Sequence, residues 1–173
     1  MGQTATVERL SGMSLNDNEL RTQLTTLLEG RGAHASFDQA VEKFPTHLRG
    51  ERPDTVPYSA WQLVEHLRIA QRDLLDYSQI ENGRYRERKW PEDYWPKSQQ
   101  PTSETAWDES IAAILKDREA LVALANNGDL TKPFPWEKNH NVLRQILLAA
   151  DHMAYHTGEI ILLRRLLGCW PAK

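Results

Sequence analysis

The stretch ILLAADHMAYHTGEIILL, residues 146–163, decides the fold. It carries no Lys or Arg, and its apolar residues recur at helical spacing. A helix that is apolar on most sides is expected to be largely buried. Yet this one holds Asp151, His152, His156 and Glu159. Buried polar groups need partners, and a buried charge needs a counter-charge or a metal.

The same pattern extends outward. Asn141 is a plausible N-cap, which predicts a helix from Val142 to about Leu167. Gly168 stands where a C-terminal cap belongs, and Pro171 follows. Upstream, Ser59 and Gln62 form a capping-box pattern that opens a helix running to about Ile80. Ala60, Leu63, Leu67, Ala70, Leu74 and Tyr77 make its seam. Residues 104–126 give another long helix, with Trp107, Ile111, Ile114, Leu115, Leu121 and Val122.

The first helical region opens at Asn16, with Glu19 at capping-box spacing and a stripe of Leu20, Leu24, Leu27 and Leu28. Gly30 and Gly32 interrupt it, and Ala33 to Phe44 form either its bent continuation or a second piece. Residues 45–58 read as a connection, and 81–101 and 127–140 as long loops. No run of β-branched residues alternates over a strand length. The expected fold is all-α, a four-helix bundle with long connecting loops and no presumption of simple up-down order. Residues 1–14 read as a disordered lead-in to a single domain over 15–173.

Composition narrows the function. The 173 residues are 40% hydrophobic and 26% charged, with a net charge of −3. That balance argues against a nucleic-acid binder. Cys169 is the one cysteine, so neither an internal disulfide nor a Cys-rich zinc site is available. No apolar h-region stands in 1–12 and no run is long enough to span a membrane, so a cytoplasmic location is expected.

His152 and His156 are four apart, so a helix puts both on one face, within reach of one divalent ion. The alternative is a pair of core histidines bonded to nearby polar groups. His66, midway along the helix opened by Ser59, is the candidate third ligand, with Glu65 as a candidate supporting partner. Glu159 shares the face of His156 and is a candidate fourth ligand, supporting acceptor or general base. Asp151 is expected to anchor a neighbouring helix or orient an imidazole. His34 is a candidate for a pocket mouth, while His47 and His140 are expected to be solvated. Tyr85, Trp90, Tyr94 and Trp95 in the 81–101 loop either cap the bundle or wall a pocket. Cys169 is expected to be a small packing residue. The commonest nucleophile and phosphate-binding signatures are absent.

The segment AWQLVEHLRIAQRDLL (60–75), followed by DHMAYHTGEIILLRRLLG (151–168), resembles the DinB-like (damage-inducible, YfiT-like) family of small bacterial metalloproteins. The loop run KWPEDYWP (89–96) looks like one subgroup of it, and the resemblance covers roughly residues 17–170. It implies a four-helix bundle with an unusual connection order, often dimeric. It also implies a three-histidine site for zinc, nickel or iron, with His66, His152 and His156 as ligands and the remaining positions open to water or substrate. Relatives include thiol transferases that use bacillithiol or mycothiol, and a thiol-dependent isomerase.

The expectation that follows is a metal-dependent enzyme, of thiol S-transferase or hydrolase type, acting on a small-molecule substrate as a homodimer. Glu159 would be its catalytic residue, and Trp90, Tyr94, Trp95 and His34 would bind a low-molecular-weight thiol or substrate. The competing expectations are a non-catalytic metal-binding or sensing bundle, and an interaction bundle whose histidines only pack.

Overall fold

The computed structural model describes residues 16–80 and 85–171, so the lead-in expected over 1–14 lies outside the described residues. Among the described residues five helices follow in order: α1 Asp17–Leu28, α2 Phe37–Val41, α3 Ala60–Ser78, α4 Ala106–Asn127 and α5 Val142–Leu166. A 3-10 turn, Thr46–Leu48, stands between α2 and α3. Among the described residues the only β-type pairing is an isolated bridge, Phe134 to Glu137.

Local chemistry sets the helix ends. Ser59 accepts from the Gln62 amide, and the Gln62 side chain accepts from the Ser59 amide, closing the expected capping box. Such a cap is worth about 1 kcal/mol. Asn141 accepts from the Arg144 amide to start α5. Gly168 ends it at φ +72°, a left-handed position where glycine carries no Cβ penalty. Asn16 caps α1, but through the amide of Asn18. Glu19 does not reach back to Asn16; it accepts from Gln23 on the next turn instead. The glycine break separates α1 from α2, and α2 has a capping box of its own between Ser36 and Gln39. The region is therefore two pieces.

Each of α1 and α3 packs chiefly on α4 and α5, which leaves those two helices at opposite corners of the bundle. One apolar cluster joins Leu63, Val64 and Leu67 of α3 with Trp107 and Ile114 of α4 and Ile160 and Leu163 of α5. A second joins Leu24 and Leu28 of α1 with Leu75, Leu121 and Ala125, and with Val142, Ile146 and Ala149 of α5. The early halves of α3 and α4 thus meet the late half of α5, so α3 and α4 run the same way and α5 runs against them. Successive parallel helices require a connection that returns the full length of the bundle. The described residues 85–105 of this connection do so, and they pass the middle of α3 on the way.

Two sequence expectations change here. Leu27 is 50% exposed and does not belong to the α1 stripe. More consequentially, α5 is not buried all round. Leu147, Leu148, Tyr155, Leu162 and Leu166 are exposed on one face, because α1, α2, α3 and α4 all pack against its other sides.

Arg164 holds the late end of α5. It is 1% exposed, and it donates to the carbonyls of Ala40, Glu42 and Cys169 at 2.8–3.1 Å. Its guanidinium also lies 5.1 Å from the Phe44 ring centre and 5.3 Å from that of Trp170. Arg164→Met nearly keeps the volume but removes the donors from the buried Ala40 carbonyl and from the part-buried carbonyls of Glu42 and Cys169. Urea unfolding should show a loss of about 3 kcal/mol, and an unchanged midpoint would refute this role.

Candidate metal centre

Because α3 and α5 lie side by side, His66 faces His152 and His156 across the helix pair. His66 is 1% and His156 7% exposed, and His152 is half-buried. Nε2 of His152 lies 3.1 Å from Nε2 of His66 and 3.1 Å from Nε2 of His156. One nitrogen from each of the three rings falls within 4.8 Å of the others.

The second nitrogen of two of these rings is already committed. Nδ1 of His66 donates to the Tyr94 carbonyl at 2.8 Å, since a carbonyl can only accept. Nδ1 of His156 donates to Oε2 of Glu159 at 2.6 Å. A neutral imidazole carries one proton, so these partners assign the tautomer and leave Nε2 of both rings as bare acceptors. His152 has at most one proton to offer two lone pairs. A proton on His152 Nε2 can satisfy one of those lone pairs but not both, whereas a cation among the three nitrogens would satisfy every one, and the donor set is one that zinc, nickel and iron all accept.

Protonation does not supply that cation near neutral pH. Burial first, then the neighbouring His156 and His66 imidazoles, push His152 down to about 4. Burial first, then His66, push His156 down to about 4. Burial also lowers His66, against the opposing effect of its bond to Tyr94. Glu159 moves the other way, raised by burial despite the nearby His66.

The returning 85–101 segment builds the wall. Trp95 stacks on His66 with ring centres 3.9 Å apart and planes within 1°. Tyr58 stacks on the same indole at 3.7 Å. The Tyr94 hydroxyl donates to Asp73 at 2.7 Å, pinning the loop to α3. Trp90 stands 6.3 Å from the His66 ring and is 68% exposed. On the other side, the exposed Tyr155 ring lies edge-on to His156 at 4.9 Å.

Other expected site residues lie elsewhere. Glu65 points to α4, bonded to Arg68 and to Ser110, because its position on α3 turns it about 100° from His66. Asp151 is exposed, on the uncovered face of α5, and anchors no neighbouring helix. His34 lines a separate cavity with Phe37, Met153 and Thr157, to which none of the three clustered histidines contributes. His140 is not simply solvated; its Nδ1 pairs with the Tyr77 hydroxyl at 2.8 Å. His47 is exposed as expected. Cys169 contributes mainly its carbonyl, to Arg164.

Sequence reasoning missed Tyr58, Asp73 and the Tyr94 carbonyl. Asp73 lies two turns from His66 on the same face of α3, which is a readable signal. A backbone carbonyl delivered by a loop leaves none.

The family model of the DinB superfamily matches residues 30–160, a span that takes in α2 to α4, the three histidines and Glu159. No curated protein and no solved structure matches the chain. Among the described residues, no helix is long and apolar enough to cross a membrane.

Two predictions follow from this geometry. Glu159→Ala frees the His156 ring to rotate and to move its proton. Competition against a chromophoric chelator should show divalent-ion affinity weakened by about 10–100-fold. The second concerns pH. In the metal-free protein the unfolded chain takes up protons on His152 and His156 near pH 6.5, whereas the folded chain does so only near 4. Folding stability is therefore lost as pH falls through that window. A variant with His152→Asn and His156→Asn should show a shallower fall by urea unfolding, and an equal slope would contradict the assignment.

Proposed function

The chain belongs to the DinB superfamily, and we propose that it is a divalent-metal-dependent enzyme that transfers a low-molecular-weight thiol to a small electrophile. The observation that carries this reading is the convergence of three Nε2 atoms whose rings have at most one proton to share among them. His66, His152 and His156 would hold the ion. Three residues, and no fourth, group as donors among the described residues, which favours a centre with open positions over a closed structural one.

A bound divalent ion supplies Lewis acidity that makes a coordinated thiol or water ionise near neutral pH. The protein's own residues do the rest. Glu159 holds the His156 tautomer through Oε2 while its side chain stays 34% exposed, so it can accept the thiol proton from the solvent side. Burial raises its pKa, which brings it closer to the range useful for a general base. Trp95 covers one face of His66 and keeps water from it. Trp90 and Tyr94 form the substrate wall.

The same reading places the protein in the cytoplasm as a homodimer. The exposed leucines of α5 are the face that a second copy would cover.

Metal content by mass spectrometry, on untagged protein, tests the reading. The expected result is about one ion per chain, lost in both His66→Ala and His156→Ala. Light scattering on the same samples should give twice the chain mass. Metal-loaded protein should then conjugate a low-molecular-weight thiol in a screen against small electrophiles. A wild type that binds no ion after reconstitution overturns the proposal. A loaded protein that hydrolyses esters or amides but transfers no thiol reassigns the reaction to hydrolysis.

A further inference from the structure

On the other side of α5 from the histidines is a cavity of about 150 Å³. Ala150, Met153, Ala154 and Thr157 form its floor, and Leu28 and Phe37 are among its walls. These four α5 positions lie on the flank turned away from His152 and His156 by helical geometry. The turn over residues 29–34 closes it, and Gly30 in that turn takes φ +65°.

Three observations define what the cavity would accept. Its volume is that of a known apolar cavity that holds one benzene-sized ring. Its wall is mainly apolar, and the charged groups beside it are paired. Arg118 donates twice to Asp38, at 2.9 and 3.0 Å, and Arg31 lies 3.2 Å from Glu29. No unpaired charge of these pairs is left to select an ion. The third observation is Thr157. It is 2% exposed, and its hydroxyl has no hydrogen-bond partner among the described residues. A helical threonine ordinarily bonds a carbonyl one turn back, and a buried hydroxyl left unsatisfied is unfavourable. One water, at about 30 Å³, would satisfy the hydroxyl but leave most of the apolar wall uncovered.

We propose that this cavity is a second ligand site, for a small neutral molecule with one ring-sized apolar body and a single hydroxyl or carbonyl that pairs with Thr157. The site is independent of the metal centre, because none of the three clustered histidines lines it.

Phenol and toluene, which have nearly the same shape, provide the probe pair. In an amide NMR titration of the full chain, phenol should shift Leu28, Phe37, Met153 and Thr157 saturably. It should bind about fivefold more tightly than toluene, the effect of one hydrogen bond. Thr157→Val, which keeps the side-chain shape, should bring the two affinities together. Ala154→Leu should fill the cavity and abolish both, with a thermal melt confirming that it folds. His66→Ala should leave phenol binding intact.

Any of four results would overturn the proposal: no saturable shift in the wild type, equal affinities for phenol and toluene, an unchanged preference in Thr157→Val, or binding that survives Ala154→Leu. Loss of phenol binding in His66→Ala would move the probe to the histidines and overturn it as well.

Discussion

Three imidazole nitrogens brought within 4.8 Å of one another, with one proton at most among them, are an unfavourable arrangement that the rest of the chain works to maintain. Left to itself, each ring would turn toward water or take a proton. Burial by the α3 and α5 packing removes the first option and depresses the second. Glu159 and the Tyr94 carbonyl then fix which nitrogen of His156 and His66 keeps its hydrogen. The stability that would come from better-matched polar pairs is given up at this one place. Such local inconsistency within an otherwise well-packed bundle is the usual mark of a functional site.

The bundle serves that constraint through its order. Because α3 and α4 are parallel, their connection must run back along the molecule, and it crosses α3 beside His66. Trp95 and Tyr94 reach the site for this reason alone. An antiparallel pair joined by a short turn would leave His66 without a carbonyl to orient it and without an indole on its face. At its late end, Arg164 ties α5 to the C-terminal end of α2 and to the chain after α5, and it uses three carbonyls and two aromatic faces in place of a carboxylate.

Much of this was readable from the residues, and the failures share a cause. The capping box at Ser59, the cap at Asn141 and the glycine at 168 are local signals, and each forms as its chemistry dictates. The grouping of His152 with His156 needs only helical spacing. Placing His66 beside them needs the packing of two helices far apart in sequence; its position midway along its helix made it a candidate, and the resemblance to a family implied it as a ligand. The expectations about Glu65, Asp151 and His140 failed because a residue's neighbours in space are not its neighbours in the chain. Glu65 meets Ser110 on α4, and His140 meets Tyr77 on α3. The exposed leucines of α5 mislead for a related reason. Hydrophobic content counts the faces of a helix but does not count the helices available to cover them.

The acceptor that orients His66 belongs to the main chain of Tyr94, not to a side chain. Any residue other than proline or glycine can present that carbonyl with little change in backbone preference. The instruction that readies the histidine is therefore written in loop shape, while loop side chains such as the exposed Trp90 remain free to vary. Descendants of one ancestor could diversify what they recognise at the rim and inherit the same chemistry beneath it.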